Sequence, residues 1–158
     1  LLDMDSAGFG DVPENEQLFR MTWIFITQGI IELGGPVESF TPRQFQLWNK
    51  LLDNCDRGHR VRCLDERAIT GDCLPEILKV EYPPDSRMAR QGVAAHIAFF
   101  NWQDHAKPVG ADANQLGLVP GNTLTDYWNG QPKTAEFDGV WDVLAPRHAR
   151  LYEVRHKA

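Results

Sequence analysis

This chain is poor in the features that identify most functions quickly. It has only three cysteines, Cys55, Cys63 and Cys73, an odd number whose spacing fits neither a CxxC pair nor a zinc site. They read as buried free thiols, with one disulfide plus a spare thiol as the alternative. No apolar run reaches membrane-spanning length, because Met21–Ile31 is broken by Thr22, Thr27, Gln28 and Gly29. There is no basic stripe, and a net charge of −6 argues against a phosphate-backbone partner. Arg57, His59, Arg60 and Arg62 form only a short cluster that reads as a solvated strand end. Neither a nucleic-acid nor a membrane partner is expected. P-loop, GxSxG and paired Cys/His patterns are missing, and His105, His148 and His156 lack partners at ligand spacing. No metal and no cofactor is implied. Repeats, low-complexity tracts and a recognisable leader are absent too.

What is present divides the chain in two. Its 158 residues, 42% hydrophobic and 24% charged, can bury a sizeable core. The chain opens on Leu1-Leu2-Asp3-Met4-Asp5 without an initiator methionine. Residues 1–10 read as a loop. Asp11 can cap the helix that follows, Pro13 suits its first turn, and Glu14 and Glu16 favour its positive end. Leu18, Met21, Ile24, Phe25 and Gln28 share one broad face, with Phe19, Trp23 and Ile26 beside it. A helix this apolar all round wants burial on more than one side, and Gly29 is placed to end it. Ile30–Leu33 is a short parallel-strand candidate closed by Gly34-Gly35-Pro36. Thr41, Pro42 and Gln44 then form a capping box. The helix after it carries a stripe of Phe45, Trp48, Leu52 and Cys55, with Leu51 alongside and Gly58 at its end.

After Gly58 the period changes from helical to alternating. His59–Leu64, Ile77–Tyr82, Val93–Trp102, Leu124–Trp128, Val140–Leu144 and Arg150–Val154 read as strands, with Glu136-Phe137 as a short addition. Val93–Trp102 is apolar enough for a central position in a sandwich. Asp104–Pro120 reads as a long connection holding one short strand at Ala113–Leu118. Asn129-Gly130 is a hairpin signal.

The order of these segments resembles the carboxyl-terminal portion of the α-galactosidase (melibiase) glycoside hydrolases, the clan of retaining α-galactosidases and α-N-acetylgalactosaminidases. Leu2 through Gly10 resembles that family's Asn-Asp-Pro-Asp-Met segment and the glycine after it. Arg20–Trp23 through Ile30–Gly34 resembles the helix leading into the last barrel strand, and Thr41-Pro42-Arg43-Gln44 the final barrel helix. Phe99-Phe100-Asn101-Trp102, Asp126–Gly130 and Val143–Tyr152 resemble sandwich strands. The resemblance implies a mixed α and β chain: the remnant of the last unit of a (β/α)8 barrel over residues 1–57, then an antiparallel Greek-key β-sandwich over 58–158. It implies double displacement by two carboxylates about 5 Å apart. Both lie on earlier barrel strands in the family, so no catalytic residue is expected here. Asp5 matches the family's second aspartate and would hydrogen-bond the sugar. Ser6 stands where the family has methionine, and Met4 where it has proline. The implied partner of the full-length enzyme is an α-galactoside-type carbohydrate. A helix and strand shaped for a barrel would leave apolar surface open, so residues 12–57 are expected to self-associate or to pack on the sandwich.

Other readings stand beside this one. Asp3 and Asp5 could act as a carboxylate pair of their own, or serve as capping and solvated groups. Asn101-Trp102 with Asp104-His105, Tyr127-Trp128 or Trp141 could form the stacking platform of a non-catalytic carbohydrate-binding module, or simply pack the sheet. Two coplanar exposed tryptophans on one sheet face would favour the module, and buried ones a scaffold. His96, inside an apolar strand, reads as a hydrogen-bonded sheet histidine.

Overall fold

The computed structural model describes residues 7–8, 12–28, 31, 33–53, 59–65, 68, 71, 73–134 and 139–156. It begins with a βαβ unit: β1 (Ala7–Gly8), α1 (Glu14–Thr27) and β2 (Leu33–Gly34), the strands parallel with Ala7 opposite Leu33. A 3-10 turn (Val37–Ser39) leads to α2 (Pro42–Asp53). Then follow β3 (Val61–Cys63), β4 (Ile77–Glu81), the single turn α3 (Arg87–Arg90), β5 (Val93–Asn101) and β6 (Lys107–Asp112). The turn α4 (Ala113–Leu116), β7 (Thr123–Asp126), β8 (Pro132–Lys133), β9 (Gly139–Leu144) and β10 (His148–Arg155) complete the chain.

Six strands form one antiparallel sheet in the order β3-β4-β5-β10-β7-β8, and β6 pairs with β9 in a separate ribbon. β10 inserts between β5 and β7, so a strand late in the sequence joins the two sides of the sheet. Alternation along β5 sends Ala95, Ile97 and Phe99 to one face and Ala98 and Phe100 to the other. The first face packs on the β6–β9 ribbon through Val109, Ala111, Val140 and Leu144, making a two-layered β-sandwich. The second face is covered by α1 and α2 through Leu18, Met21, Phe25, Leu47 and Leu51. α1 lies against β10, β5 and β4. One core therefore joins the helices of residues 12–53 to the sheet.

Several local expectations give way to what the fold requires. α1 starts after Pro13, which sits at the cap and whose carbonyl accepts from the Glu16 and Gln17 N–H groups, both at 3.0 Å. The expected cap Asp11 lies outside the described residues. The left-handed residue at the other end is Gln28 (φ 57°), ahead of Gly29, which also lies outside them. Gln28 tolerates this because its backbone N–H still reaches Ile24 O (3.1 Å) and its side chain accepts from the His59 N–H (3.1 Å). The capping box on α2 forms as written: Gln44 N donates to Thr41 Oγ1 (3.2 Å) and Thr41 N to Gln44 Oε1 (2.7 Å). The buried face of α2 is different, however. Leu47 and Leu51 are buried, while Phe45 and Leu52 are 39% and 47% exposed. Both stripes have helical spacing, and the core takes the one carrying Leu47 and Leu51. Cys55, Arg57, Gly58 and Glu136-Phe137 lie outside the described residues.

The expected strand at Ala113–Leu118 is instead the helical turn α4, capped by Asp112 Oδ1 accepting from Gln115 N (2.8 Å) and closed by Gly117 at φ 64°. The strand of that region is β6, six residues earlier. Its Pro108 and Gly110 depress strand propensity, yet an edge strand of a two-stranded ribbon accepts both. Asn129-Gly130 turns the chain with only Gly130 at positive φ (70°), inside a longer loop whose ends meet where Asp126 N donates to Gln131 O (2.7 Å).

Candidate functional site

The two residues expected to bind sugar, Asp5 and Ser6, lie outside the described residues, as does Asp3. Beside them in sequence is the β1–α1–β2 unit. In βα folds the carboxyl ends of parallel strands carry the ligand-binding loops. At that end of β2 stands Gly35 (φ 102°), followed by Pro36 and the 3-10 turn, with the buried Phe40 ring packed beneath.

The tryptophans decide whether a sugar platform exists. Trp128 is buried, and its indole N–H donates to Thr22 Oγ1 on α1 at 2.8 Å. Trp102 is half-buried among Phe19 (4.7 Å between ring centroids), Trp23 (5.3 Å) and Phe100 (5.8 Å), with its N–H on Pro75 O (2.7 Å). Asn101 is fully buried, and its amide nitrogen clamps the carbonyls of His105, Leu144 and Ala145 at 2.8–3.0 Å. Asp104 pairs with Arg147 at 2.8 Å. The Asn101-Trp102-Asp104-His105 platform is thus not assembled. These residues lock the end of β5 to the β9–β10 turn. Tyr127 is likewise buried, its hydroxyl donating to Lys50 O (2.7 Å). Of the tryptophans in the strands and turns named as platforms, only Trp141 is well exposed, at 46%.

Beneath the helices the sheet carries a buried polar group. His96 has no exposed surface; its Nδ1 is 2.9 Å from the Tyr82 hydroxyl, and its Nε2 has no hydrogen-bond partner. Glu153 Oε2 is 3.8 Å from Nε2, but that carboxylate is held by Arg155 at 2.6 Å. Burial, with the charges of Arg155 and Lys50 adding to it, lowers the His96 pKa to about 3. The imidazole is neutral at ordinary pH, as expected for a sheet histidine. Tyr152, on the other face, donates to Asp142 Oδ2, and burial first, then that hydrogen bond, raises its pKa.

Sequence reasoning passed over two further polar clusters. Asp126 Oδ1 accepts from the Trp128 and Asn129 N–H groups, both at 3.0 Å, and Oδ2 pairs with Arg150 at 2.6 Å. An aspartate opening a turn before Asn-Gly was the available signal. A cleft of about 800 Å³ is lined by Asp65, Cys73, Glu76, Gln103 and Lys107 among others. There Asp65 Oδ2 accepts from the Glu76 and Ile77 N–H groups, both at 2.6 Å, and Lys107 pairs with Glu76 at 2.6 Å. Burial raises the Asp65 pKa against the pull of those two N–H groups. Among the described residues each of these carboxylates already holds backbone or a cation, and they form no carboxylate pair poised as nucleophile and acid. Nothing local in the sequence marked this long-range pairing. Of the cysteines, Cys63 is half-buried and Cys73 exposed, both free thiols, so neither is the fully buried thiol expected; Sγ of Cys63 sits 3.7 Å from Asp65 O.

No family model and no curated protein matches this chain. Solved structures do match its fold. One is a GH27 β-L-arabinopyranosidase from Geobacillus stearothermophilus, with a TM-score of 0.71 and 15% identity, covering 92% of this chain and 31% of that one. Another is α-galactosidase I from Mortierella vinacea, TM-score 0.65 and 12% identity, covering 94% and 37%. A third is the α-galactosidase from Saccharomyces cerevisiae with raffinose, TM-score 0.66 and 12% identity, covering 96% and 46%. The chain spans less than half the length of each of these proteins. Its fold is that of the carboxyl-terminal part of α-galactosidase-type glycoside hydrolases.

Proposed function

We propose that this chain is the carboxyl-terminal portion of an α-galactosidase-like glycoside hydrolase, comprising the last unit of its barrel and the β-sandwich that braces it, with the border near residues 57 and 58. The observation that carries this reading is the joint between α1 and the sheet. A parallel βαβ unit shares one core with an antiparallel sheet, while most of each similar protein has no counterpart here. In the parent enzyme the carboxylates of double displacement stand on earlier barrel strands. This chain supplies the wall: Asp5 as acceptor for a sugar hydroxyl, Ser6 beside it, and the sandwich as a rigid support for the last strand. The substrate is a terminal α-galactosyl-type linkage. A β-L-arabinopyranosidase of like fold makes the related pyranose the first alternative substrate.

The exposed Phe45 and Leu52, seven residues apart on α2, together with Val37, present apolar surface on the helical side. In the parent a neighbouring barrel unit covers it. In the isolated chain a second copy does, and light scattering detects the dimer.

The test is turnover of a nitrophenyl α-galactoside. The isolated chain is expected to be inert, and a longer polypeptide restoring the preceding barrel units active. Turnover by the isolated chain that vanishes in Asp5→Asn would overturn the proposal, as would a restored polypeptide that cleaves neither galactosides nor arabinopyranosides. The binding-module reading loses its pair of stacking tryptophans, since Trp128 is buried and Trp102 half-buried.

A further inference from the structure

The β6–β9 ribbon turns one face to the core and the other to solvent. The register sets Gly110 opposite Trp141, Pro108 opposite Val143 and Asp112 opposite Gly139, all on the outer face. Trp141 is 46% exposed and Val143 76%. The indole leans over Gly110, where any Cβ would come within 2.9 Å of its Cε3 atom. Glycine at this position is what lets the ring settle against the ribbon. At the free edge of β9, Lys133 Nζ donates to Trp141 O (2.7 Å) and Asp142 Oδ1 (2.8 Å), and Asp142, which also accepts from the Tyr152 hydroxyl, lies on the inward side, away from the indole. On the outer face, with Trp141, the carboxylate of Asp112 uses Oδ1 to cap α4, and its second oxygen can accept a hydroxyl.

We propose that this outer face is a sugar-stacking site, with Trp141 as its platform and a pyranose ring as its occupant. Size argues for a small ligand over a second protein. Six-residue strands in a two-stranded ribbon present roughly 20 by 10 Å, about 200 Å². A standard interface needs ~800 Å² from each partner. An indole is an apolar plate with an N–H at its edge. In a galactosyl ring the axial O4 leaves the C3, C4 and C5 hydrogens together on the opposite side, so that apolar patch can stack there while a hydroxyl reaches Asp112. The choice of sugar as ligand class rests on the glycosidase reading above. The position rests on Trp141 alone.

The test is titration of the ¹⁵N-labelled chain with melibiose, reading the indole N–H resonances, and gel retardation in galactomannan. The Trp141 resonance, assigned through Trp141→Phe, is expected to move saturably in the millimolar range. Trp141→Ala should remove both the shift and the retardation, weakening binding at least about tenfold. Asp112→Asn should weaken it less. The buried Trp128 resonance should hold still throughout and report an intact fold. A Trp141 resonance unmoved at roughly 50 mM melibiose, movement of another indole instead, or retardation that survives Trp141→Ala overturns the site. None of these results touches the barrel-tail reading, which stands or falls on the turnover experiment.

Discussion

The indole N–H of Trp128 donates to Thr22 Oγ1 at 2.8 Å, tying the turn after β7 to the middle of α1, with both residues buried. An unpaired N–H at this depth is expensive. Thr22→Val keeps the shape and removes the acceptor, so it should destabilise the chain by about 1–3 kcal/mol. Thr22→Ser should recover much of that loss. Urea unfolding followed by tryptophan fluorescence measures both, and a Thr22→Val midpoint equal to the parent's would show that the bond contributes nothing.

Asp126 holds the same corner from the other side, through two N–H groups of its turn and the guanidinium of Arg150. Asp126→Ala leaves those donors with no acceptor and should cost about 2–4 kcal/mol. Asp126→Asn retains one acceptor oxygen for the turn and should cost less. The order of the two denaturation midpoints is the check, and equal losses would assign the whole effect to the ion pair.

His96 ties stability to acid. Its pKa is about 3 in the folded chain against 6.5 as the reference for an unfolded one. The folded state therefore binds fewer protons between those values. The contribution is fully present above about pH 6.5 and is lost as pH falls toward 3, at up to about 1.4 kcal/mol per pH unit. Wild type should lose stability faster than His96→Gln between pH 6 and 4, and the His96 ring resonances should not titrate over that range. A ring titrating near pH 6.5 contradicts the buried neutral imidazole.

Gly110 and Gly139 let β6 and β9 approach closely. A Cβ at Gly110 would fall 2.2 Å from Val140 O, and one at Gly139 2.2 Å from Ala111 O, both backbone atoms that cannot swing away. Alanine at either position should loosen the ribbon and cost about 1–3 kcal/mol or more. Faster amide exchange confined to β6 and β9 would locate the damage, and unchanged exchange would show that the strands can part without loss.

Signals that act within a few residues were legible in the sequence. The Thr41/Gln44 capping box forms as read because its partners are three residues apart. The apolar run of β5 announces a strand buried on both faces. Where two local choices were nearly equal, the sequence could not decide. α2 offers Leu47 and Leu51, four residues apart, or Phe45 and Leu52, seven apart, each pair on one face of a helix, and only packing against the sheet selects the first pair. β6 stayed hidden because Pro108 and Gly110 count against a strand until the ribbon edge that tolerates them exists. Of the candidate site, the sequence left Asn101 and Trp102 open between a sugar platform and sheet packing, and the convergence of β5, β9 and β10 on them decides for packing.

By itself, then, the sequence determined periodicity, the capped start of α2, the central strand and the succession of the two long helices before the antiparallel sheet, since these follow from propensity and spacing along the chain. Tertiary structure decided which apolar stripe is covered, which polar side chains are consumed by backbone, and which tryptophan is left to solvent. Those outcomes depend on contacts between residues dozens of positions apart, such as Thr22 with Trp128 and Asn101 with Leu144. Burial is a property of the assembled layers, and no single segment carries it.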